Sequence, residues 1–193
     1  MQIPTTIQIE ALHKKYASSD EIFSQVWEHC NIVKEIALDL VEQNKLKIDN
    51  DLLVAGALLH DIGAYKVYYD RKNYIKHGVI GAEILKSEGV SLELQRFASH
   101  HTGVGLDSDD IKNLGIETDE ESLLAETLEE KLVMYADKFH SKTEPPTFNS
   151  VEFYKQKVQE FGPGKLEIFE TMLKEFGSPD LEKFNQKYGY KIR

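Results

Sequence analysis

Apolar positions recur every three or four residues in one segment of the chain after another, and a sustained two-residue alternation is found nowhere. Ser18, Ser19 and Asp20 form an N-cap cluster, after which Ile22, Val26, Val33, Ala37 and Leu40 fall on one face, predicting a helix that runs to about Leu46. Asn50 or Asp51 caps the run LLVAGALL, which is apolar all round and so belongs in the centre of a bundle. Further helices are predicted over 77–88, stopped by Gly89, over 91–101, stopped near Gly103, and over 107–113, ended by Gly115. Another is predicted over 123–140. The stretch SKTEPPTFNS then interrupts the pattern, because two prolines cannot continue a helix. Amphipathic helices follow over 151–161, 163–176 and 180–188. The expectation is an all-α fold, one domain over residues 1–193, with no repeat and no low-complexity tract.

Composition narrows the partners. Lys and Arg number 23 against 33 Asp and Glu, a formal charge of −10. Such a surface repels nucleic-acid backbones and anionic membranes, so neither polymeric nucleic acid nor a membrane is an expected partner. The single cysteine, Cys30, cannot close an internal disulfide, which fits a reducing cytoplasm, and beside His29 it reads as an inert buried thiol. No stretch has the length of a membrane span. The aromatic positions from Phe153 to Tyr190 read as core or as a dimer face, which leaves a homodimer open, and SKTEPPTFNS can form one wall of a substrate pocket.

Seven histidines remain to be placed. His29 falls in step with Ile22, Val26, Val33 and Leu40 and points into the core. His60 and Asp61 end the apolar helix, and Gly63 permits a turn behind them. Burying an imidazole beside a carboxylate in an apolar centre is costly unless something compensates, and a metal ion does so. Asp137 lies in LVMYADKF with apolar neighbours on both sides. His77 opens HGVIGAEIL, where Gly78, Gly81 and Ala82 allow another backbone to approach. His101 shares a face with Leu94, Phe97 and Ala98, whereas His100 lines up with Glu93 and Arg96 on the polar side. His13 and His140 read as ordinary surface histidines. Taken singly, His29 is a core histidine bonded to a carbonyl and Asp137 a cap or a salt-bridge partner. Taken together, His29, His60, Asp61, His77, His101 and Asp137 are a candidate ligand set on helices, as bundles build metal sites. Four imidazoles and two carboxylates suit iron or manganese first, then zinc, nickel or cobalt. They exceed what one open-sited ion uses, so one or two divalent or mixed-valent ions are expected, with Asp61 as the bridge between a pair.

The order of these residues resembles the HD-domain superfamily of metal-dependent phosphohydrolases: His29 in WEHCNIV, the doublet in LLHDIG and Asp137 in YADKF. The resemblance covers an HD core of about residues 24–140, with a C-terminal helical extension of about 150–193, and implies an HD-domain-like helical bundle. His77 and His101 look like the binuclear branch, and HGVIGAEIL with ETLEEKLVMYADK is similar to small stand-alone HDIG proteins of bacteria and archaea. The glycine-tyrosine-proline signature of cyclic-dinucleotide phosphodiesterases is absent after the double histidine, where the chain reads HHTGVGLDSDD. Ala64 stands where a lysine often follows HDIG, leaving Lys66, Arg71 or Lys76 nearby to supply that charge.

The resemblance implies hydrolysis of a phosphoester or phosphoanhydride of a nucleotide or related small phosphorylated metabolite, by metal-activated water. Lys66 and Lys138 are the candidate clamps on phosphate oxygens, and His100 the candidate proton donor to a leaving alkoxide. Two rivals share the same cage. One is an HD-fold di-iron oxygenase acting on a small organic substrate, and the other a catalytically silent nucleotide-binding module.

Overall fold

A computed structural model describes residues 2–193 of the chain. Among these the helices are α1 (Thr6–Tyr16), α2 (Asp20–Asn44), α3 (Asn50–Leu59), α4 (Ala64–Val67), α5 (His77–Ser87), α6 (Leu92–Ser99), α7 (Ser108–Leu114), α8 (Leu128–Asp137), α9 (Val151–Val158), α10 (Lys165–Phe176) and α11 (Leu181–Tyr188). Short 3-10 turns cover Tyr74–Lys76 and Gln159–Phe161, and three two-residue strands are β1 (His140–Ser141), β2 (Thr147–Phe148) and β3 (Lys191–Ile192). The fold is all-α.

Helix α3 carries no charge after its first turn and lies between α2, α6 and α8, with Leu53, Ala57, Leu58 and Leu59 fully buried. Its N-cap, Asp49, accepts a hydrogen bond from the Leu52 amide. Helix α2 starts at the cap Ser19, whose hydroxyl accepts from the Ile22 amide, and buries Val26, Val33, Ala37 and Leu40. The C-terminal helices share this core. Phe169 and Phe176 of α10 lie 5.5 Å, centroid to centroid, from Tyr135 of α8.

Three departures from the expected elements have local causes. Helix α1 escapes the sequence pattern because only Ile9 and His13 are buried on it; a capping box between Thr5 and Gln8 starts it. Helix α8 is shorter than 123–140, because Thr127 and Glu130 form a capping box there and Leu123 instead exchanges both backbone hydrogen bonds with Leu106. Beyond Asp137 the chain becomes β1, which pairs antiparallel with β2; β3 then joins β2 in parallel, bringing residues 191–192 back beside the hairpin.

His13 is the first correction. It is fully buried rather than on the surface. Its Nε2–H donates to the Leu58 carbonyl (2.7 Å), and its Nδ1 accepts from the Tyr65 hydroxyl (2.9 Å), so α1 is tied to α3 through a neutral imidazole. Burial brings its pKa down from 6.5 to about 4. The unfolded chain therefore takes up a proton at a higher pH than the folded one. The stabilisation is complete above about pH 6.5 and is lost as pH falls towards 4, by about 3 kcal/mol for this residue. His13→Gln is expected to be less stable than the parent by about 1–3 kcal/mol at pH 7.5, with the gap narrowing by pH 4.5, as read from urea unfolding at the two pH values.

Candidate metal centre

Five segments deliver the six expected donors to one place. His29 sits mid-way along α2, His60 at the C-cap of α3, Asp61 in the turn beyond it, His77 at the start of α5, His101 just past α6 and Asp137 at the end of α8. The turn can pack this tightly only with glycine. A Cβ on Gly63 would lie 2.0 Å from the His77 carbonyl oxygen, and one on Gly78 would lie 2.8 Å from that of Ala98. These two close approaches draw α5 against the turn and against α6.

Asp61 is central. Its Oδ1 lies 3.3 Å from His77 Nε2 and its Oδ2 3.5 Å from His29 Nε2. Asp137 Oδ1 lies 3.0 Å from His29 Nε2 and 3.5 Å from His60 Nε2. The groups His29–His60–Asp61, His60–His101–Asp137 and Asp61–His77–His101 each place three ligand atoms within 4.8 Å of one another.

Three imidazoles are locked by backbone carbonyls. Nδ1–H of His60 donates to Ala57 (2.7 Å), that of His77 to Tyr74 (2.6 Å) and that of His101 to Ala98 (2.7 Å). This tautomer leaves each Nε2 lone pair facing the centre, the arrangement that carbonyl-anchored metal ligands adopt. His77 Nε2 and His101 Nε2 then stand 2.9 Å apart with two lone pairs opposed, a contact that a shared cation relieves. His29 Nε2, His60 Nε2 and Asp61 Oδ1 are buried with no hydrogen-bond partner, and Asp61 Oδ2 faces the Lys142 ammonium. The residues fit a metal site.

Electrostatics agree for three of the four imidazoles. Burial, and after it the Lys142 cation, brings His29 down to about 4. Burial lowers His77 as well, and burial followed by the neighbouring His60 holds His101 well below the usual imidazole value. Burial opposes ionisation of both aspartates, yet Lys142 for Asp61 and Lys138 for Asp137 lead the opposite charges that keep them well below the ordinary carboxylate range. Neutral imidazoles at His29, His77 and His101 and ionised carboxylates are the protonation states that metal ligation requires. His60 departs from this: burial opposes its charge, but Cys30 and Asp137 beside it outweigh burial and hold it well above the ordinary imidazole value, so a metal ion would have to displace that proton.

Several expectations are corrected. His140 is buried, not solvated, and its Nδ1 lies 2.8 Å from Nδ1 of His29, so it fixes the ring of a candidate ligand. Its place at the start of β1, where the sequence predicts the last turn of a helix, hid this role. His100 is also buried, because the loop carrying Glu120 covers that face of α6. Its Nδ1 bonds Ser99 Oγ (2.6 Å), its Nε2 lies 3.3 Å from Glu120, and it is not in the lining of the cleft. Lys66 lies over the Tyr16 ring, 5.4 Å from its centroid, outside the cleft as well. Lys138 does reach the centre, 2.7 Å from Asp137 Oδ2, and donates to the His101 carbonyl (3.0 Å). Lys142, which no motif marked, forms an ion pair with Asp61.

The centre opens into a cleft of about 1170 Å³. Tyr68, Tyr69, Arg71 and Tyr74 form one wall. The hairpin after β1 and the extension, with Phe153, Phe161 and Arg193, form the other. The stretch SKTEPPTFNS thus contributes to a wall, through Ser141–Glu144 and Asn149.

The HD domain family model matches residues 26–142. The chain belongs to the HD domain family. Relatives of this HD domain include tRNA (cytidine(56)-2'-O)-methyltransferases of Thermoplasma volcanium and Picrophilus torridus, each 37% identical, over 64% and 56% of this chain but only 32% and 29% of their own lengths. An uncharacterized protein of Methanocaldococcus jannaschii is 38% identical over 58% of the chain and 64% of its own length. The chain therefore spans about a third of the methyltransferases it matches. The HD domain of the L. monocytogenes phosphodiesterase PgpH, solved in complex with cyclic-di-AMP, has the same fold, with a TM-score of 0.54 at 15% identity over 96% of this chain and 99% of that one. Among the described residues, no helix is long and apolar enough to cross a membrane.

Manganese at a hundred times its dissociation constant is expected to stabilise the protein by about 2.7 kcal/mol in urea unfolding, and Asp61→Asn to abolish that gain. His140→Ala should weaken metal binding about ten- to a hundredfold in a competition titration, through loss of the ring that orients His29.

Proposed function

We propose that this HD domain is a metal-dependent phosphohydrolase acting on a nucleotide or related small phosphorylated metabolite. The observation that carries the reading is one cluster. Three carbonyl-anchored imidazoles face one buried carboxylate, Asp61, and one partly buried, Asp137, each touched by a lysine, at the floor of an open cleft. Divalent ions held by His29, His60, Asp61, His77, His101 and Asp137 would acidify water and supply Lewis acidity towards phosphoryl oxygens.

The chain's own residues do the rest. Asp61 presents one oxygen towards His77 and the other towards His29, so a single carboxylate serves both halves of the cage. Lys138 secures Asp137 and the His101 backbone together, which fixes two donors with one ammonium. Arg71 and Arg193 lie in the cleft lining, giving an acidic protein a local field that favours an anionic substrate. The flat faces of Tyr69 and Phe153 suit the apolar part of such a substrate.

Methyl transfer to tRNA, the activity named for two relatives, is not carried over, because those alignments cover about a third of the named proteins. The cyclic-di-AMP seen with the PgpH HD domain supports a nucleotide as the class of ligand, while the low identity leaves the particular nucleotide to experiment.

Protein loaded with manganese or iron, its metal content confirmed by elemental analysis, is expected to release product from at least one of three groups: nucleoside phosphates, dinucleoside polyphosphates and phosphomonoesters. Asp61→Asn should reduce that release to background. No turnover across the whole panel by fully loaded protein would sink the proposal. Oxygen uptake by the reduced, iron-loaded protein with a small organic substrate would move it to the oxygenase reading.

A further inference from the structure

Two lysines touch the carboxylates of the centre, and their surroundings differ. Lys138 is 5% exposed and its ammonium is divided between Asp137 and the His101 carbonyl, so it is bound into the cage. Lys142 rises from the hairpin wall, its side chain is 18% exposed, and Asp61 is the one carboxylate it meets. Three N–H donors on a single ammonium leave it capacity towards the cleft.

Tyr74 approaches from the opposite wall. Its ring centroid lies 5.5 Å from Lys142 Nζ, and the ring stacks on His77 at 4.8 Å and 27°. Its backbone carbonyl anchors His77, which pins the tyrosine to the centre. Its hydroxyl is buried in the cleft lining beside the Lys142 ammonium, with no other hydrogen-bond partner, a donor that costs stability unless a ligand engages it. No cation of α4 competes for this position: Ala64 is buried and Lys66 turns away over Tyr16.

We propose that Lys142 and Tyr74 form an anion-positioning pair, an ammonium and a hydroxyl converging from the two walls on a phosphoryl oxygen of the substrate beside Asp61. The inference rests on the phosphohydrolase reading for the identity of the anion. Both groups donate, so a doubly or triply charged phosphoryl group is favoured over a neutral substrate of similar shape.

The test uses inorganic phosphate as the probe, titrated into the metal-loaded full chain. Lys142→Met is expected to weaken phosphate binding roughly ten- to a hundredfold and Tyr74→Phe roughly two- to tenfold, with Lys142→Arg keeping most of the affinity. With whichever substrate the panel identifies, both losses should fall mainly on KM and less on kcat, at unchanged metal content. Unchanged phosphate affinity in both variants overturns the pair. So does a Lys142→Met protein that loses metal yet binds phosphate normally once reloaded, since Lys142 would then serve only as a counter-ion. Phosphate binding that follows these variants without turnover of any substrate would leave the pair standing and remove the hydrolase.

Discussion

A carboxylate with almost no solvent contact, placed at the end of a helix without charge beyond its first turn, is the constraint around which this molecule is arranged. Asp61 is 1% exposed and ionised, and the low polarisability of its surroundings makes that state untenable without positive charge or strong donors close by. Each element around it answers that demand. Helices α2 and α5 bring imidazoles, the hairpin brings an ammonium, and the glycines at 63 and 78 remove the side-chain volume that would hold those elements apart. The apolar core supplies the rigidity, and the cluster determines how closely five separate segments must converge.

Much of this was legible in the sequence, for a definite reason. Helical periodicity reports which side of a helix faces inward, so His29 and His101 could be assigned by the company they keep, and the apolar run ending in His60 and Asp61 announced a buried polar pair. The same rule failed where periodicity had too little to work on. His13 lies on a helix with a single fully buried apolar residue, and His140 lies past the end of its helix, in a strand too short to show alternation. His100 was placed correctly on the polar side of α6, but polar did not mean solvated, because the loop with Glu120 folds over it. Lys142 left no local trace, since its importance comes from a tertiary contact across 81 positions of sequence, from Asp61 to Lys142.

The charge balance shows a similar limit. A formal −10 describes the surface as a whole and sets its long-range field. It says little about a cleft into which Lys142, Arg71 and Arg193 are gathered from three separate segments. Overall composition constrains long-range encounter, whereas the local arrangement of a few cations decides which anion can stay.

The small sheet has a bearing on which parts of the chain complete the site. The six candidate ligands lie within residues 29–137, ahead of the final 56 residues of the chain. The wall carrying Lys142 is different, because β2 finds its second partner only in residues 191–192. The candidate cage and the finished cleft thus draw on different parts of the chain: the cage takes no ligand from beyond Asp137, whereas the cleft wall is held by the last residues of the sequence and lined by Arg193.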